Sequence, residues 1–369
     1  MEFLRVHYRL AVAPAEAEAR AEAIALEQTV EVPRVAVRDA FVEREILGRV
    51  EGVETASDGA SLATIAYPVT ALTGDPAQLL GVLFGNSSLH ADVSCADLEA
   101  PPALLRALGG PRLGLAAWRA LTGAQGRALT CTAVKPLGLA PAALADMLRT
   151  FARAGIDVVK DDQGLGDHSF CPFEERVRAC LAAAEAAADE TGRRVLYVPN
   201  LIGTPERVLA QLRFAEGQGA RAVMVSPMLL GLPFFWELCH RHASVPVLAH
   251  PSLGGAQRFA PELLFGKLLR LYGADAVIFV GDRGRFGTPR DTCARIAANL
   301  RGAWGDLAPS LPVPGGGIAL DDVADLLDLY GPDTMLLIGG SLQREAGALL
   351  ERSRAFADAV REPAASLDL

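Results

Sequence analysis

Residues 129–160, LTCTAVKPLGLAPAALADMLRTFARAGIDVVK, contain one complete turn of the pattern that decides the fold. An apolar run at 129–134 gives way to a Pro/Gly-containing turn, then to an Ala/Leu/Arg-rich stretch of helical period at 141–154, then to a second apolar run at 156–160. The same alternation continues to the C-terminus, with strands expected at 129–134, 156–160, 195–199, 222–225, 246–250, 276–280, 312–314 and 335–338. Helices are expected after each, at 141–154, 174–190, 205–217, 234–242, 261–272, 289–300, 321–329 and 343–360. Eight such units of roughly 30 residues predict an α/β chain whose C-terminal part is a (β/α)8 TIM barrel, with its site at the carboxyl ends of the strands.

The first hundred residues lack this alternation. Strands at 3–12 and 63–68 and helices at 15–27 and 76–83 predict a separate N-terminal α+β domain. The Gly/Pro-rich segment 109–126 reads as loop and places the boundary, dividing the chain into 1–118 and 119–369; the polar tail 362–369 has no assigned role. A formal charge of −9 argues against nucleic acid or an anionic membrane as the main partner. The six cysteines have no CxxC spacing, so neither a zinc knuckle nor a disulfide framework is expected. With no secretory leader and no uninterrupted apolar run of about 18 residues, the expectation is a cytoplasmic protein.

Four chemically competent side chains fall at predicted strand ends. Lys135 follows strand one, Lys160 and Asp162 share one face at the end of strand two with Asp161 pointing away, and His250 ends strand five. A Lys–Asp pair alone fits a simple salt bridge; two lysines, an aspartate and a histidine at one mouth fit an acid–base site. Strand seven ends in Gly315-Gly316-Gly317 and strand eight in Gly339-Gly340, where backbone N–H groups can approach a phosphate; tight turns into helices are the alternative. His168 reads as a solvated loop histidine, and His240 and His242, two apart on different faces of an expected helix, as surface or partly buried histidines.

These motifs resemble those of the ribulose-bisphosphate carboxylase large-subunit superfamily, and specifically its non-carboxylating members, the RuBisCO-like proteins. The likeness runs over nearly the whole chain, through Gly110-Pro111-Arg112-Leu113-Gly114, Arg119, Lys135 and the "GxDxxKDD" signature at 155–162. It implies that Lys160 is carbamylated by carbon dioxide and binds magnesium with Asp162 and the following position, an oxygen set suited to that cation. Departures narrow the activity. Gln163 stands where carboxylases have a carboxylate, Leu137 replaces a second lysine, the loop 281–287 has no lysine, and Pro251 replaces an arginine, so carbon dioxide fixation is not expected.

In the N-terminal domain Glu27 resembles the residue that reaches a partner subunit's site, a surface helix end being the alternative, and Asn86 resembles a substrate-contacting asparagine. Asn200, just past strand three, matches a polar position near the metal. The resemblance implies a magnesium-dependent isomerase acting on a sugar phosphate by enolisation, with Lys135, Lys160 or His250 carrying the proton, assembled as a homodimer or as an assembly of dimers. The shortened "KPLGL" turn and "KDDQGL" look most like the branch that isomerises 5-methylthioribulose 1-phosphate in methylthioadenosine salvage. A decarboxylase or hydrolase of a 3-oxo sugar-acid phosphate, a 2,3-diketo-5-methylthiopentyl-1-phosphate enolase, and a non-catalytic sensor or scaffold are the alternatives. Leu137, Leu229 and Phe286 are candidates to line the mouth.

Overall fold

The computed structural model describes residues 2–56, 58–284, 287–344 and 347–361, so Phe286 and the tail 362–369 lie outside the described residues. Alternation in FLRVHYRL buries Leu4, Val6, Tyr8 and Leu10 on one face of β1 (Phe3–Leu10), the mark of a half-covered sheet. With β2 (Arg49–Thr55), β3 (Ser61–Pro68) and β4 (Val93–Glu99) it forms an antiparallel sheet in the order β2-β3-β1-β4. Helix α1 (Ala17–Glu27) contributes Ala17, Ala21, Ile24 and Ala25 to the same core, and α2 (Pro76–Phe84) starts at an Asp75 carboxylate that accepts from Ala77 and Gln78 N–H.

Strands β2 and β4 were not expected from the sequence. Both are sheet edges: RVEGVET is mostly exposed and carries a bulge between Val50 and Gly52, so the apolar alternation that announces a strand is missing.

Segment 109–126, expected as loop, holds α4 (Gly114–Thr122), which follows α3 (Pro102–Leu108). Its glycines at 109, 114, 123 and 126 all have positive φ and sit at or beyond helix ends, so they punctuate helices where composition suggested a linker. Trp118 on α4 is fully buried among residues of the barrel interior, and Leu115 N–H donates to Pro309 just before a barrel strand, so α4 plugs the amino-terminal end of the barrel.

The barrel strands are β5 (Leu129–Val134), β6 (Val158–Asp161), β7 (Leu196–Val198), β8 (Val223–Val225), β9 (Val247–Ala249), β10 (Ala276–Val280), β11 (Leu311–Gly315) and β12 (Met335–Leu337). They pair in parallel in the order β7-β6-β5-β12-β11-β10-β9-β8, and a bridge between Asn200 and Met224 joins the two ends of that order. Leu129, Cys131, Val158, Met224, Ile278 and Val313 fill the interior. Residues on the other strand faces pack against α5 (Pro141–Ala154), α6 (Phe173–Thr191), α7 (Pro205–Gly217) and later helices.

Three expected helices are interrupted. The 234–242 stretch is a helix Leu232–Glu237 running into a π turn Leu238–His242, 261–272 contains a π turn Leu264–Leu268, and 343–360 overlaps a short 3-10 turn Gly340–Gln343 and the helix Leu349–Arg361. All six cysteines are free and buried, and among the described residues no helix is long and apolar enough to cross a membrane.

Candidate active site at the barrel mouth

Strand alternation places three consecutive residues in three environments. Lys160 lies inside the barrel, 2% exposed, with Nζ donating to the Asp161 carbonyl at 3.0 Å. Strand β6 ends at Asp161, one residue later than expected, which sets Lys160 one position deeper than the strand end. Burial pulls the Lys160 pKa below that of an ordinary lysine, and Lys135 adds to the effect, against the pull of Cys131, Asp162 and Asp161.

Asp161 points the other way and is fully buried, accepting from Arg176 Nε at 3.0 Å, Tyr197 Oη at 2.8 Å and Asn200 N–H at 3.0 Å. Burial and the Asp161 charge push the Tyr197 phenol well up, so it stays a donor. Arg176 also donates to the Gly166 and Cys171 carbonyls, tying α6 to the loop after β6. Asp162 returns to the mouth, where Lys135 Nζ sits 3.2 Å from its Oδ1.

The loop that continues from Asp162 is held from β7. Asn200 Nδ2 donates to the Gln163 and Leu165 carbonyls at 3.0 and 3.1 Å, so this side chain shapes the loop, with its amide nitrogen spent on backbone. Gln163 Oε1 lies 3.3 Å from Ser252 Oγ, which is 2.9 Å from His250 Nδ1. Ser252 thus joins two predicted residues that lie far apart in the chain, and sequence reasoning missed it; the available signal was a hydroxyl two residues beyond a strand-end histidine. Burial, and then the Lys160 charge, bring the His250 pKa down to about 3.

The glycines divide into two groups. Added Cβ atoms would come within 3.0 Å of Leu337 at Gly315 and 2.5 Å of the Gly284 backbone at Gly317, so close packing accounts for both; Gly316 has φ 88°. Gly340 faces open space, and a Cβ on Gly339 would lie 3.7 Å from Lys135 Nζ, so the β12 loop borders the lysine.

In the N-terminal domain Asn86 Nδ2 donates to Glu27 Oε1 at 2.8 Å, bringing two separately predicted residues together. The arrangement depends on buried Gln28, which donates to the Gly81 and Val82 carbonyls and accepts from Ser87 N–H. His168 stacks on Phe170, His240 stacks on Trp236, and His242 pairs with Glu237. Among the described residues no three His, Cys, Asp or Glu side chains gather to hold a metal. Any cation at this mouth would rest on Asp162, the Gln163 amide oxygen and a modified Lys160; a buried amine of lowered basicity beside a carboxylate fits that requirement.

A closed eight-stranded barrel with this lysine–aspartate mouth defines a class of protein, and the comparisons agree. Residues 114–258 match the family model "Ribulose bisphosphate carboxylase large chain, catalytic domain". The chain is 46% identical to "Ribulose bisphosphate carboxylase-like protein 1" of Rhodopseudomonas palustris, over 96% of each sequence. It is 41% identical to a protein of Rhodospirillum rubrum named 5-methylthioribulose-1-phosphate isomerase, over 97% of this chain and 96% of the other. A 2,3-diketo-5-methylthiopentyl-1-phosphate enolase of Geobacillus thermodenitrificans is 33% identical over 81% and 75%. The crystal structure of a Rubisco-like protein from Rhodopseudomonas palustris superposes with a TM-score of 0.91 at 40% identity, covering 99% of both chains. The chain belongs to the RuBisCO-like proteins.

Proposed function

We propose that this protein isomerises 5-methylthioribulose 1-phosphate by enolisation: a proton leaves the carbon beside the ketone and returns one carbon along, so the carbonyl migrates and no atom is gained or lost. The observation that carries this reading is the Lys135–Asp162 pair, 3.2 Å apart at the mouth and bordered by Gly339. Lys135 carries the proton, Asp162 holds its side chain, and the backbone N–H groups of Gly315–Gly317 and Gly339–Gly340 receive the phosphate. The departures at Leu137 and Pro251 and the 41% identity to the named isomerase support a non-carboxylating enzyme.

Lys160, kept buried and easily neutral, is suited to take up carbon dioxide as a carbamate; Asp162 and Gln163 would complete an oxygen site for magnesium. When bound, such a cation polarises the ketone and the neighbouring hydroxyl, which lowers the barrier to proton removal. Exposed Leu137, Leu229 and Leu253, on the segments after β5, β8 and β9, give the mouth an apolar rim for the methylthio end. The enolase reading is the runner-up, since the same groups would enolise a diketone and an enolase stands among the relatives.

The test is solvent exchange. With magnesium and bicarbonate in heavy water, the protein is expected to wash deuterium into 5-methylthioribulose 1-phosphate while the ketone signal moves along the chain. Exchange restricted to the diketone would favour the enolase; no exchange with either would leave a sensor or scaffold.

Assembly is part of the proposal. Glu27 and Asn86 are held together on the N-terminal domain beside Leu89, which is 84% exposed, an arrangement suited to covering a neighbour's barrel mouth in a two-fold dimer. Mixing inactive Lys160→Ala with inactive Glu27→Gln protein is expected to restore activity, because one site of each mixed dimer is then intact. Absence of complementation between exchanging subunits would place Glu27 in its own chain's site or in none.

A further inference from the structure

We propose that Ser252 is a positioning residue that holds His250 as a neutral imidazole with its proton on Nε2, so that His250 donates a hydrogen bond to the substrate and does not take its proton. Ser252 meets His250 Nδ1 twice, through its backbone N–H at 3.3 Å and through Oγ at 2.9 Å. A backbone N–H has one direction and one role, so Nδ1 must offer its lone pair there. The hydroxyl rotates, and its single proton has two acceptors within reach, Nδ1 at 2.9 Å and Gln163 Oε1 at 3.3 Å. With Nδ1 unprotonated, a hydroxyl turned to Gln163 would leave two lone pairs facing each other across the shorter contact; the proton therefore goes to Nδ1.

A neutral ring unprotonated at Nδ1 carries its proton on Nε2, and Nε2 has no protein partner among the described residues. Ser252 Oγ then accepts, and rotation of the Gln163 amide gives it Nε2 as donor and turns the amide oxygen toward a ligand.

The turn that presents Ser252 is strained. Gly254 N–H donates to the Pro251 carbonyl at 2.9 Å, and Leu253 occupies the third position with φ 66° and ψ 1°, where a type II turn ordinarily takes Gly or Asn. Leu253 is 55% exposed, so burial of its side chain does little to offset that conformation. Gly254, buried against Phe265 and Leu264, anchors the turn. Such strain at the mouth of the barrel matches a turn shaped for the placement of Ser252.

The test uses the full-length protein labelled with nitrogen-15, with His250 assigned by its loss in His250→Gln. The expected result is Nδ1 in the unprotonated range and Nε2 in the protonated range, a shifted Nδ1 signal in Ser252→Ala, and recovery in Ser252→Thr, which keeps the hydroxyl. The kinetic arm rests on the enolisation reading: Ser252→Ala is expected to lower kcat about tenfold, the equivalent of one hydrogen bond, with KM little changed. A proton on Nδ1 of the wild-type ring, or wild-type kcat in Ser252→Ala, overturns the inference. A wild-type protein without turnover fails the proposed function, and the nitrogen shifts still decide the role of Ser252.

Discussion

Replacing Lys160 with alanine is expected to lower turnover by about 10³-fold or more while the protein remains folded. The size follows from the proposed role: losing the group that anchors a cation removes several kcal/mol of transition-state stabilisation, and each 1.36 kcal/mol is worth about tenfold. Stability should change far less, because the amine makes one hydrogen bond, to the Asp161 carbonyl, and its burial already disfavours the ammonium form. Lys160→Met, which keeps most of the side-chain volume, controls for the cavity left by alanine. Near-normal kcat in both variants would remove Lys160 from the mechanism. Wild-type protein stripped of carbon dioxide and magnesium should lose activity and regain it only when both return. Full recovery with magnesium alone would mean that Lys160 works as a free amine.

Arg176→Ala is expected to be the most destabilising single change around the site, by about 3–5 kcal/mol, the cost of leaving a buried carboxylate without its cation. Arg176 and Asp161 are both fully buried and 3.0 Å apart, and the same guanidinium holds the Gly166 and Cys171 carbonyls of the loop after β6. Urea unfolding of Arg176→Ala, Asp161→Asn and the double variant measures this. The double variant should lose clearly less than the sum of the singles, since removing both charges leaves none stranded. A loss below about 1 kcal/mol for Arg176→Ala would show that solvent reaches the pair.

Legibility in the sequence tracked periodicity. Strand β5 and helices α5 and α7 fall where the apolar spacing put them, because a barrel strand is apolar on both faces and its covering helix on one. Strands β2 and β4 and helix α4 escaped for the converse reason: edge strands carry polar residues, and the glycines of 109–126 end helices there. At the mouth, the opposed directions of Asp161 and Asp162 were readable because alternation along a strand is a local property.

What the chain determined by itself was therefore local and repetitive: eight β–α units, a lysine at the end of β5, a Lys-Asp-Asp run at the end of β6, and glycine turns after β11 and β12. Closure of the barrel decided the rest. It buried Lys160, engaged the Asn200 amide nitrogen with the loop carbonyls, and brought Ser252 between His250 and Gln163 across a separation of 89 residues. Desolvation and hydrogen bonding of this kind depend on distances in space, and a pattern along the chain carries residue type and spacing but not those distances.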